Sequence, residues 1–293
     1  MMNPHSVDDI QIISKESGHY PILLREISSP PQRLFLRGNQ ELLSASLSIA
    51  VVGTRKISDY GHAVLQSIIP PLVRAGAVIV SGLAYGVDSV SHEIALEHGG
   101  KCIAVLGSGV DIIYPREHQG LALRILESGG AILSEHGAGV PPLPQFFPAR
   151  NRIISGLSRT TLVIEAQEES GSLITAKFAL EQNREVYAVP GSIFDDNQRG
   201  TNQLIAEGAY PLLSVEKLLA QLHLSDSHPQ QLPLLTFDSP EEKTLYEYLR
   251  EPQSIDELSQ SSRMATNMLN QLLSLMELKG LIRNLGGMRY LRK

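Results

Sequence analysis

A chain of 293 residues, 42% hydrophobic and 19% charged, has material for one large core and a small second domain. Its net charge of −6 excludes a protein that coats nucleic acid through bulk basicity, so a polyanion site must be a local concentration of Arg and Lys. The lone Cys102 excludes a disulfide framework, and no apolar run approaches the roughly 18 residues of a membrane helix; with no signal in MMNPHSVDDIQ, a cytoplasmic protein is expected.

Residues 1–40, with GHYPILLREISSPPQRLFLRGN, read as an extended arm packing on a sheet. From Leu47 to Leu222, apolar and β-branched runs alternate with longer amphipathic stretches. SIAVVG (48–53), AVIVSG (77–82), CIAVLG (102–107), AILSE (131–135), TLVIEA (161–166) and EVYAVPG (185–191) read as strands. Runs this apolar suit strands covered on both faces, and the helical patterns between them supply right-handed crossovers. The fold class is therefore α/β, a doubly wound and mainly parallel sheet, whose ligands collect outside the strand C-termini.

The loops after these strands carry the candidate residues. Gly53, Thr54 and Arg55 precede a helix delayed to about Asp59, either as a phosphate grip or as a strand-ending turn with a solvated arginine. Ser81 and Gly82 end the second run, Gly86 shapes the turn after it, and Asp88 reads as a helix cap. Gly107, Ser108 and Gly109 follow the third run. In FPARNRIISG, Arg150, Asn151 and Arg152 stand as planar donors at the start of a helix, behind a PPLPQFFP loop that is expected to stay outside helix and central strand. The aromatic candidates are Phe146, Phe147, Tyr60, Tyr85 and Tyr114; one of Phe146 and Phe147 is expected in the core, and Phe147 is the leading candidate to stack on a base. Ser170, Gly171, Ser172 and Thr175 open a further helix, with Lys177 one turn in. Four such loops on one sheet edge suggest a groove suited to a polymer of phosphates.

Catalytic patterns mostly fail. No GxxxxGK[ST] is present, GTRKIS replaces a dinucleotide GxGxxG, and Leu96 breaks the HExxH that His92 and Glu93 begin. His92 reads as a helix-surface or satisfied packing residue. Glu135 and Glu165 end strands and are expected to fix the arginines. No catalytic residue, metal or cofactor is expected.

A polar stretch, 225–240, reads as a linker to a helical domain over 241–293. Pro240, Glu241 and Glu242 open one helix, Ser254 and Glu257 cap a second, 265–279 forms a third, and a hairpin turns at Gly286 and Gly287: a winged helix. From Thr236 to Lys293 eight acidic residues balance eight basic ones, and the third helix carries only Lys279, a poor recognition helix for duplex DNA.

In this order, YPILLREISSPPQRLFLRGN, VVGTR, SGLAYGVDSVSHEIAL, LGSGVDIIYP, GAILSE, FPARNRIISGLS, VIEAQEESGSLITAKFALEQNREVYAVPG and GTNQLIAEGA resemble the DNA-processing protein A (Smf) family. The resemblance implies a Rossmann-like domain, here 41–224, that binds single-stranded DNA, followed in many members by a winged helix. It implies a homodimeric, non-enzymatic mediator that protects incoming DNA and helps load the RecA recombinase in natural transformation, with no membrane partner. Arg55 matches the family's principal DNA-contacting arginine. Two departures stand out: VPPLPQFF lacks the lysine some members carry there, and the stretch before Gly18 is too short for the helical SAM-like domain of many members. The alternative is a nucleotide hydrolase of the lysine-decarboxylase-like group, whose PGGxGTxxE spacing SGSLITA and PGSIFDD lack.

Overall fold

The structure, a computed structural model, describes residues 9–222, 224, 237–250, 252–262, 264–279, 281–284 and 289–292. The chain divides into two compact units, Met1–Ser227 and His228–Lys293. Most of the sequence-expected linker and the hairpin glycines Gly286 and Gly287 lie outside the described residues.

The first unit runs β1 (Gln11–Ser14), α1 (Ile22–Arg25), β2 (Arg33–Gly38), β3 (Ser48–Val52), α2 (Asp59–Arg74), β4 (Val78–Ser81), α3 (Val87–Glu97), β5 (Lys101–Val105), α4 (Gln119–Glu127), β6 (Ala131–Ser134), α5 (Phe146–Gly156), β7 (Thr160–Val163), α6 (Gly171–Glu181), β8 (Glu185–Ala188), α7 (Asp196–Ala206), β9 (Tyr210–Pro211) and α8 (Val215–Gln221). One nine-stranded sheet results, in the order β1-β2-β6-β5-β4-β3-β7-β8-β9. From β6 to β9 all pairs are parallel, whereas β1–β2 and β2–β6 are antiparallel. The segment expected as an arm therefore joins the sheet itself, because β2 finds in β6 an unpaired edge and hydrogen-bonds to it (Phe35 opposite Ser134).

Period-two alternation sends Ile49 and Val51 of the wholly buried β3 to one core, with Leu65, Ile69 and Leu72 of α2 and Ile125 of α4. Ala50 and Val52 face the other core, with Leu24 of α1, Ile153 of α5, Ala179 of α6 and Leu204 of α7. Both faces are thus covered, which is why the strands read as continuous apolar runs.

The second unit comprises α9 (Pro240–Tyr248), β10 (Gln253–Ser254), α10 (Ile255–Ser262), α11 (Thr266–Leu278), β11 (Ile282–Asn284) and β12 (Arg289–Arg292). Its small sheet runs β10-β12-β11, and its own core gathers Leu245, Leu258, Leu269, Leu273 and Ile282. Ser239 caps α9, and Ser254 and Glu257 exchange hydrogen bonds as a capping box at α10 (2.7 and 3.3 Å). Lys279, at the end of α11, is held by Glu242 (2.6 Å) and Asp238 (2.7 Å).

Candidate nucleic-acid interface

Strand order reverses at β3: the chain moves outward through β4, β5 and β6, then returns to β3's other side with β7. Loops leaving β3 and β7 diverge there, and a crevice opens at the C-terminal edge. The loops are tied across it. Thr54 N–H donates to the Glu165 carbonyl (2.8 Å), and Val87 N–H to the Thr54 carbonyl (3.1 Å). Gly86 has φ +76°, and a side chain on it would press on the Thr54 carbonyl oxygen. Leu83, in the same loop, holds φ +58° with its side chain fully buried, a conformation of about 1–3 kcal/mol strain that apolar burial offsets.

Arg150 forms the floor. Its side chain runs from α5 beneath the β4 and β5 loops, where Nη1 donates to the carbonyls of Gly82 (2.7 Å) and Val105. A Cβ on Gly82 would lie 2.5 Å from the guanidinium, so glycine is what lets the arginine in. Asp88, in the first turn of α3, accepts from Gly82 N–H (3.1 Å) and supplies the opposing charge. Burial pushes the Arg150 guanidinium down to about 10 and the Asp88 carboxyl up, each shift partly offset by the partner's charge. Arg150 is charged at neutral pH and stripped of water.

Above this floor lies an open cleft of about 550 Å³. Arg55 stands exposed on its wall, and its guanidinium makes no hydrogen bond or salt bridge with a described residue. The opposite wall is the start of α6, where Ser170 caps Ser172 N–H (3.3 Å) and Asn151 Nδ2 donates to the Gly171 carbonyl (3.1 Å). Phe147 and Tyr114 pack with ring centroids 5.6 Å apart along the rim.

Of the residues expected from sequence, the cleft brings together Gly53, Arg55, Phe147, Arg150, Asn151, Ser170, Gly171, Ser172 and Thr175. The others stand behind or away from it. Thr54 is buried with Oγ1 accepting from Lys56 N–H (3.2 Å), and Ser81 Oγ donates to the Val51 carbonyl (2.6 Å). Gly82 makes room for Arg150, and Gly107 for the Phe147 ring, 3.1 Å from where a Cβ would sit. Gly109 backs the loop, its N–H donating to the Val140 carbonyl (2.9 Å), and Lys177 faces solvent on α6. Arg152 points elsewhere, because two residues along a helix is a turn of roughly 200°. It pairs with Glu135 at 2.5 Å.

Several expectations are corrected. Arg150–Arg152 lie in the middle of α5 rather than at its start, and Phe146, Phe147 and Pro148 belong to that helix. A proline in the first turn removes only an N–H that has no intrahelical partner. Neither phenylalanine is core: both are half-buried, Phe146 against His136 at 4.0 Å. Glu135 does hold an arginine, but Glu165 holds none among the described residues. It is fully buried and accepts from Ser58 N–H (2.9 Å), Ser58 Oγ and Gln198 Nε2 (3.1 Å), anchoring the N-terminus of α2. His92 is neither on a helix surface nor satisfied: it is fully buried, and neither ring nitrogen has a partner among the described residues. Asp88, which reads in the sequence as a plain cap, and Tyr114, one of the aromatic candidates, also line the cleft.

A doubly wound sheet whose switch-point crevice carries an exposed arginine over a buried one defines a Rossmann-like protein with a cationic cleft, here followed by a winged helix. The chain belongs to the DNA recombination-mediator protein A family, whose family model matches residues 11–223; a DprA winged helix domain matches residues 228–288. It is 43% identical over 232 residues to Protein Smf of Escherichia coli (strain K12), covering 79% of this chain and 62% of that relative, less than two thirds of its length. DNA processing protein DprA of Bacillus subtilis (strain 168) is 44% identical over 216 residues, covering 74% and 71%. The X-ray structure of DprA from Streptococcus pneumoniae superposes with a TM-score of 0.69 at 43% identity, over 73% of this chain and 75% of that one. A structure of DNA processing protein A from Helicobacter pylori, concerned with its single-stranded DNA binding mode, gives 0.66 at 28% identity, over 73% and 95%.

Proposed function

We propose that this protein is a single-stranded DNA-binding recombination mediator that protects incoming DNA and helps load RecA in natural transformation, working in the cytoplasm as a homodimer. In this reading residues 41–224 bind the strand, 225–240 are a linker, and 241–293 form the winged helix. The observation that carries it is the pairing of an unengaged Arg55 with the buried Arg150 in an open cleft at the sheet's switch point. The relative from Helicobacter pylori, studied for its single-stranded DNA binding mode, supports the ligand class. Phosphates meet the guanidiniums and the N-terminal turn of α6, which attracts anions. Gly53 leaves room for the Val87 side chain and the Glu165 carbonyl behind the cleft, and Asn151, Ser170, Ser172 and Thr175 offer donors along the wall.

Binding, not turnover, is the chemistry proposed. Glu165 is committed to α2, and Asp88 to Gly82 and Arg150, so both nearby carboxylates are occupied by the fold.

Arg55→Ala tests the reading. Fluorescence anisotropy with a labelled oligothymidine should show affinity lower by roughly 1.5–3 kcal/mol, the scale of a charge-assisted contact, with an unchanged melting temperature because the side chain supports nothing in the fold. Unaltered affinity in a folded variant sinks the assignment of Arg55. Exchange of a coating single-strand-binding protein for RecA, followed with and without this protein, tests loading, and light scattering tests the dimer.

A further inference from the structure

We propose that the DNA path continues beyond the arginine cleft into a neighbouring cleft, where Tyr114 and Tyr85 form a stacking platform for successive bases and Arg116 meets the backbone. The proposal rests on the single-stranded DNA reading and extends it along the sheet edge.

Tyr114 lines two cavities at once, the cleft containing Arg55 and a second one of about 400 Å³ bounded by Tyr85, Ile113, Pro115, Arg116 and Pro142. The first opens mainly beside β3 and β7. The second lies past the end of β5, two places further along the sheet on β4's side, so together they trace a line across the strand C-termini. A polymer lying in one is led over the Tyr114 ring into the other.

The two tyrosines are exposed, 48% and 44%, yet fixed. Tyr114 leans on Phe147 at 5.6 Å with the rings inclined at 44°. The Tyr85 hydroxyl donates to Glu117 Oε2 (2.8 Å), and its ring meets His118 edge-on at 4.9 Å and 68°. His118 is itself anchored, Nδ1 lying 2.7 Å from the carbonyl of the strained Leu83. Exposed aromatic rings already held in position lose little rotamer freedom on binding and present π-faces to any base.

Charge sorts which part of a nucleotide goes where. Glu117 stands beside Tyr85 and repels phosphate, leaving that side to an uncharged base. The exposed Arg116 guanidinium makes no hydrogen bond or salt bridge with a described residue and is the cation available to the backbone.

Base stacking is separated from backbone binding by two ligands of equal length, an oligothymidine and an abasic oligonucleotide, each titrated by fluorescence anisotropy. Tyr85→Ala and Tyr114→Ala should each weaken oligothymidine binding roughly tenfold, within the range for one stacked base. Tyr85→Phe and Tyr114→Phe, which keep the ring, should stay within about twofold. On the abasic ligand all four variants should match the parent protein. Equal losses on both ligands, or no loss on oligothymidine, would overturn the platform. If Arg55→Ala weakens binding while both tyrosine-to-alanine variants bind normally, only this extension fails; if the parent protein binds no oligothymidine, the function proposed above fails with it.

Discussion

Arg55 and Arg150 lie near enough for their like charges to repel. A phosphate placed between them relieves that repulsion, so the cleft favours an anion more than either guanidinium does alone. Another residue nearby carries the opposite burden. His92 is sealed in the core with its imidazole pushed down to about 3, chiefly by burial and also by the charges of His118 and Arg150. An unfolded histidine titrates near 6.5, so below that pH the unfolded chain takes up a proton that the folded chain refuses. Stability from this site is complete above about 6.5 and falls, by at most roughly 1.4 kcal/mol per pH unit, as pH drops towards about 3. His92→Leu removes that dependence and leaves no unpartnered ring nitrogen. Urea unfolding at about pH 7 and about pH 5 should show a smaller acid loss in the variant, and an identical loss in both proteins would exclude His92 as its source.

Among the elements, α3 begins where the β3 and β4 loops cross, and Gly86 makes that crossing possible. Gly86→Ala combines an unfavourable positive φ with a clash against Thr54, whereas Gly76→Ala at φ +84° has open space around it. Gly86→Ala should therefore cost about 1–3 kcal/mol more than Gly76→Ala in thermal unfolding. Equal melting shifts would show that the crowding at Gly86 relaxes freely.

The interior strands were legible because burial on both faces leaves a plain mark, as in SIAVV, and caps such as Ser254 with Glu257 are short-range chemistry. Arg55 was legible as a cation just past a strand-ending glycine. What the sequence concealed depends on helical phase or on distant partners. Arg150 and Arg152 look alike in RNR until α5 turns one under the cleft and the other to Glu135. Glu165 reads as a strand-end acid, and its real partners, Ser58 and Gln198, are 107 and 33 residues away. Phe146–Pro148 read as loop because the first turn of a helix tolerates what its interior forbids.

At the scale of the whole molecule, the two units keep separate cores: residues up to Leu224 build the sheet's two, and Leu245 onward the third. A chain ending at Leu224 should therefore fold and hold oligothymidine within a fewfold of full-length affinity, since Lys279 is already engaged by Glu242 and Asp238. Circular dichroism and anisotropy on that fragment decide it, and a loss beyond tenfold would put DNA contacts in the winged helix. Strand order has a consequence in time. β3 gains β4 soon after it leaves the ribosome, but its other edge waits for β7, which pairs Ile49 with Thr160. Until then a nascent chain carries at its centre a bare edge of unpaired backbone groups on a mostly apolar strand, open to pairing with other chains. The cleft, whose lining includes both Gly53 and Thr175, cannot exist before that edge closes, so on the proposed function a half-made chain lacks the site that would hold a strand.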